Sequence, residues 1–120
     1  MRVGPLKLKA QIFCADEPAM GPGKADLLEA IARSGSISAA GRALGMSYRR
    51  SWLLVDSMNR CFTGRLVETR SGGGEGRGAR VTPLGEQVLA HYRAMEARLA
   101  TAAADDLAHI ASLLRAEPAE

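Results

Sequence analysis

The chain has 120 residues, which suits one compact domain with an appended element. Aromatic residues make up only 4% of it, so alanine and leucine helix packing has to supply most of the burial. No run of about 20 apolar residues occurs and the N-terminus lacks a long apolar core, which argues against a membrane-spanning helix, a membrane partner or a secretory leader and predicts a cytoplasmic protein.

Residues 6–13 alternate apolar with polar side chains and predict one half-buried strand. The next ten residues, 14–23, hold two prolines and two glycines and read as a loop. Leu27, Leu28 and Ile31 form the apolar stripe of a first helix over about 24–34, ending near Ser34 and Gly35.

A second, shorter helix over 37–44 follows, with Ser36 as its cap and Ile37, Ala40 and Leu44 at helical spacing. Gly45 suits the position after a helix end, where φ is often positive. Ser47 then caps a third helix over about 48–62, leaving Tyr48, Arg49 and Arg50 in its exposed first turn. Two short helices joined by a tight glycine turn build a helix-turn-helix, whose second helix reads base edges with its N-terminal residues. Arginine suits that task because its planar fork binds guanine O6 and N7 together, or bridges phosphates. The bland alternative is a common turn and two solvated arginines. Trp52, Val55, Met58 and Phe62 continue at helical spacing, so Trp52 is expected inside the core rather than as a ligand platform.

Residues 66–70 and 79–82 are two short β segments around the glycine-rich run 71–78, which predicts a hairpin over 65–82. After a helix-turn-helix, such a hairpin is a wing. Its glycines contain no i, i+2, i+5 set and no Gly-Lys-Ser/Thr ending that leads into a helix, so a nucleotide-phosphate loop is excluded. Arg70, Arg77 and Arg80 are instead placed to contact the DNA backbone, with Ser36 and Ser38 at the start of the second helix as further contacts. Thr82 and Pro83 mark a last helix running to about 115. Its apolar stripe, with Val88, Tyr92, Met95, Leu99, Leu107 and Ile110, is longer than a three-helix core can cover. A second copy of the chain is the economical partner; the alternative is a helix folding back after a break near Asp105 and Asp106.

Charge agrees with this layout. Residues 24–80 carry ten basic against five acidic side chains, whereas 81–120 carry three against six. No Ser/His/Asp grouping or carboxylate pair forms a catalytic constellation, and His91 and His109 stand too far apart on one helix for a local metal site. The expectation is no enzyme, no cofactor and no metal. Cys14 and Cys61 lack metal spacing; two free thiols, structural and buried, are the simpler reading, with a disulfide, or either cysteine as a redox switch, left open.

The residues from Gly35 to Trp52, with Met58-Asn59, Gly72-Gly73-Gly74 and Val81-Thr82-Pro83-Leu84-Gly85-Glu86, resemble the N-terminal domain of the ModE family of molybdate-responsive transcriptional regulators, and the last of these runs is also similar to LysR-type regulators. The resemblance implies a homodimeric winged-helix regulator on a near-palindromic double-stranded site, with Ser47, Tyr48, Arg49 and Arg50 reading DNA. It also implies genes of molybdenum handling as targets. The molybdate-binding region of such regulators has no counterpart before Glu120, so no molybdate site is carried over; Met1 and the tail 116–120 favour a stand-alone regulator over a fragment. The expected architecture is therefore mainly α with a small β hairpin, an α+β winged helix-turn-helix over 1–82 with an N-terminal strand, followed by a long dimerisation helix over 83–115. The competing function is a winged-helix adaptor for protein partners that binds no specific DNA.

Overall fold

The computed structural model describes residues 1–70 and 78–120. Ten elements follow in order: β1 (Arg2–Val3), β2 (Leu6–Lys7), β3 (Ile12–Cys14), β4 (Glu17–Met20), α1 (Pro22–Ser34), α2 (Ile37–Ala43), α3 (Tyr48–Cys61), β5 (Val67–Arg70), β6 (Gly78–Val81) and α4 (Pro83–Ser112). The β segments pair as three antiparallel ladders, β1 with β2, β3 with β4 and β5 with β6. This is the α+β arrangement of a winged helix-turn-helix with a long C-terminal helix.

The N-terminal region departs from the expected single strand. A turn at Gly4 and Pro5 folds Leu6 and Lys7 back against Val3 and Arg2, and β3 then pairs with β4. The alternation itself is real, since Leu6, Leu8 and Ala10 are half-buried while Lys7, Lys9 and Gln11 are exposed. Alternation reports which face is covered, not whether a ladder is continuous. Strand β4 lies inside the stretch expected as loop, because Pro18 sits in a two-stranded ladder where its missing N–H need not be paired.

The core is built from the inner faces of α1, α2 and α3 with the start of the wing: Leu27, Leu28, Ile31, Ile37, Val55, Met58, Leu66 and Val67 are buried. Phe62 packs against this core at its edge. Leu44, expected in the apolar stripe of α2, is exposed beyond the helix end.

Two polar clusters lock the frame. Glu17 on β4 accepts from the Arg60 guanidinium at 2.8 and 3.0 Å and from the Ser57 hydroxyl at 2.6 Å, tying the β3–β4 hairpin to the C-terminal half of α3. Those bonds hold the Glu17 carboxyl down at about 2, well below the ordinary 4.5. Lys24 donates to Ser57 at 2.9 Å and to the Pro18 carbonyl, and its burial pushes its ammonium pKa down. On α4, Arg93 binds Asp26 and Glu29 of α1 as well as Glu96. Its neighbour Tyr92 donates to the Ala10 carbonyl at 2.7 Å.

Candidate nucleic-acid interface

The turn between α2 and α3 is shaped by local chemistry. Ser36 caps α2 by accepting from the Ala39 N–H at 3.1 Å. Gly45 has φ +71°, the left-handed conformation that a Cβ disfavours, and it lets the chain reverse within Leu44 to Met46. Ser47 caps α3 through the Arg50 N–H at 3.1 Å. The helices cross closely because Gly41 faces Ser51: a Cβ at Gly41 would lie 3.0 Å from the Ser51 Cβ and deeper still inside its hydroxyl. Ser51 is wholly buried and its hydroxyl donates to the Ser47 carbonyl at 3.0 Å.

This geometry presents Tyr48, Arg49 and Arg50 outward on the first turn of α3, all three exposed. Neither arginine joins an ion pair among the described residues. Their guanidinium groups are thus available for an external anion. Ser47 is exposed at the same end, while its hydroxyl is engaged in the cap.

The wing is held to α3 by Asn59. Its Oδ1 accepts from the Leu66 N–H at 2.8 Å and the Val67 N–H at 3.1 Å, and its Nδ2 donates to the Val67 carbonyl at 3.1 Å. Strands β5 and β6 pair in register from Val67 with Val81 to Arg70 with Gly78. The wing also docks on the loop between α1 and α2, where the Ala79 N–H donates to the Gly35 carbonyl at 2.8 Å. At its base Thr82 caps α4 through the Gly85 N–H at 3.0 Å and donates to the Arg65 carbonyl at 2.7 Å.

Between α2, α3 and the wing runs a groove of about 530 Å³, lined by Ser36, Ser38, Tyr48, Trp52, Thr69 and Arg70 among others. The structure therefore brings together Ser36, Ser38, Tyr48 and Arg70, residues expected at separate points of the chain. Arg80 is exposed, but its guanidinium is bound to Glu68 at 2.9 Å. Arg77 lies outside the described residues.

Several expectations are corrected. Trp52 is not inside the core: it is 38% exposed and packs on Tyr48, with ring centroids 6.0 Å apart. Its position is one turn beyond Tyr48, and the core at that level is filled by Ser51 and Val55 instead. Cys14 is exposed and Cys61 half-buried, so neither is a buried structural cysteine. Tyr92, expected at a dimer contact, is 2% exposed and belongs to the core of its own protomer. Val88 and Met95 also pack against that core, whereas Leu99 and Ile110 remain 41% and 57% exposed. Leu107 is half-buried. Sequence reasoning missed Asn59 as the clamp of the wing; a single amide beside an apolar helix position carries no signal of which backbone it meets.

The family model for bacterial regulatory helix-turn-helix proteins of the lysR family matches residues 24–86, from α1 through the wing to the start of α4. The chain belongs to this lysR family. Molybdenum-pterin-binding protein MopB of Rhodobacter capsulatus is 46% identical over 81 residues, 68% of this chain and 30% of that protein. Its relative MopA is 38% identical over 102 residues, 85% of this chain and 38% of that protein. The DNA-binding transcriptional dual regulator ModE of Escherichia coli K12 is 38% identical over 87 residues, 72% of this chain and 31% of that protein. The chain thus spans about a third of the length of these curated relatives. For a lysR-family helix-turn-helix the matched segment contains α2, α3 and the Asn59 clamp together. No helix among the described residues is long and apolar enough to cross a membrane.

Proposed function

We propose that this chain is a DNA-binding transcriptional regulator, with no enzymatic role, working in the cytoplasm as a homodimer on a near-palindromic duplex site. The observation that carries the reading is the first turn of α3: Ser47 caps it, and Tyr48, Arg49 and Arg50 project from it beyond a close α2–α3 crossing. Arg49 and Arg50 enter the major groove, while Arg70 and the start of α2 contact the sugar–phosphate chain. The names of its relatives, a molybdenum-pterin-binding protein and a ModE regulator, point to genes of molybdenum handling as the targets.

Dimerisation is supported by the outer half of α4. Leu99 and Ile110, followed by Leu113 and Leu114, are apolar and uncovered within the protomer. To read successive major grooves, a second copy on that stripe would have to set the two α3 helices about 34 Å apart, one turn of duplex.

Fluorescence anisotropy with labelled duplexes tests the assignment. Arg50→Ala should lower affinity for a preferred site by ~1–3 kcal/mol and relax its sequence preference. Arg70→Ala should weaken all duplexes alike and reduce the salt slope by about 1. A slope near zero in the unaltered protein would reject DNA as the partner.

A further inference from the structure

The helix that presents the arginines also carries apolar surface that the core does not use. On α3 the inward positions Val55 and Met58 are 3% exposed or less, whereas Trp52 is 38% exposed and Leu53 55%. Trp52 opens into the groove between α3 and the wing, with Tyr48 one turn before it and tilted at 57° against it. One cationic side chain, Arg70, is exposed and lines the same groove, and Arg49 and Arg50 are exposed on the same first turn of α3 as Tyr48. An apolar wall beside a cation that joins no ion pair among the described residues suits a polyanion that carries a small apolar projection.

Duplex DNA offers one such projection in its major groove, the C5-methyl of thymine; the other base edges present donors and acceptors. A ring one turn into the recognition helix lies about 6 Å further along its axis than the first turn. With the helix lying in the major groove, that ring faces a different base pair from the first turn. We propose that Trp52 is a specificity-determining residue that reads thymine: its indole packs on the C5-methyl of a thymine next to the bases met by the first turn of α3. Tyr48 acts as a positioning residue that fixes the tilt of the indole. This inference rests on the DNA-binding reading above and names a base for the same site.

The test begins with the full chain and a preferred duplex selected from a random pool. Each thymine of that duplex is then replaced by deoxyuridine, which keeps Watson–Crick pairing and lacks only the methyl group. One thymine in each half-site should prove sensitive, with binding about fourfold weaker for each lost methyl, the effect of exposing one buried carbon. In Trp52→Leu and Trp52→Ala the thymine and deoxyuridine duplexes should bind alike. Tyr48→Phe should keep the discrimination, because the ring and not its hydroxyl does the positioning. Trp52 is the single tryptophan, so its emission should change on binding the thymine duplex and change less with the deoxyuridine duplex. The proposal is overturned if no thymine is sensitive, or if the sensitivity persists without the indole. The deoxyuridine scan and the emission measurement on the unaltered protein decide it even if a Trp52 variant fails to fold. If no duplex is selected at all, the DNA-binding reading falls and this one with it; selection without thymine sensitivity rejects this one alone.

Discussion

Replacing Asn59 by alanine should separate the wing from α3. The amide makes three bonds of 2.8 to 3.1 Å to the backbone of Leu66 and Val67, two residues with no exposed surface. Alanine leaves two N–H groups and one carbonyl without that partner. A buried polar group left unpaired costs about 1–3 kcal/mol, and partial relaxation or water entry recovers some of it. A net loss of ~2–4 kcal/mol is expected, against the ~5–15 kcal/mol total typical of such domains. With a urea slope of about 1.5–2 kcal/mol per molar, the unfolding midpoint should fall by roughly 1–3 M at an unchanged slope. Asn59→Asp keeps the accepting oxygen but turns a second acceptor, charged at neutral pH, toward the Val67 carbonyl, so it should not restore the unaltered midpoint. Urea titrations followed by circular dichroism give all three midpoints. A shift below about 0.3 M for Asn59→Ala would refute the clamp, since a midpoint that small corresponds to no lost buried bond.

Two further outcomes follow from close contacts elsewhere. Gly41→Ala should destabilise by about 1–3 kcal/mol because the new Cβ collides with the Ser51 side chain, and Ser51→Gly should recover much of the loss; equal stability of Gly41→Ala and the unaltered chain in thermal melts would contradict the close crossing. Glu17 has a folded-state pKa of about 2 against an ordinary 4.5, so its contribution is whole above pH 4.5 and disappears as the pH falls to about 2. Acid titrations of stability should therefore be flatter between those pH values in Glu17→Gln, and identical slopes for both proteins would count against the Arg60 and Ser57 bonds as its cause.

Much of this architecture was legible in local signals. The caps at Ser36, Ser47 and Thr82, the turn at Gly45 and the helical spacing of Leu27, Leu28 and Ile31 are chemistry within a few residues, and the elements form where those signals lie. What escaped depends on contacts across the chain. Strand β4 needed a partner hairpin that turns at Ala15, whose positive φ of 53° no composition rule flags. Trp52 carried the right spacing for a core position, yet Ser51 and Val55 occupy that level because α2 comes so close at Gly41. Tyr92 read as part of one long stripe, but the extended segment at Ala10 covers it, leaving only the outer part of α4 open. Arg80 looked equivalent to Arg70 in sequence; the β5–β6 register sets it opposite Glu68.

The central claim is that the first turn of α3 reads duplex DNA. It is tested most directly by measuring, for one selected duplex and one scrambled duplex of the same length, affinity against salt concentration. The selected duplex should be preferred at least about a thousandfold, and both affinities should fall steeply with salt. Equal affinities for the two duplexes, or binding indifferent to salt, would contradict it.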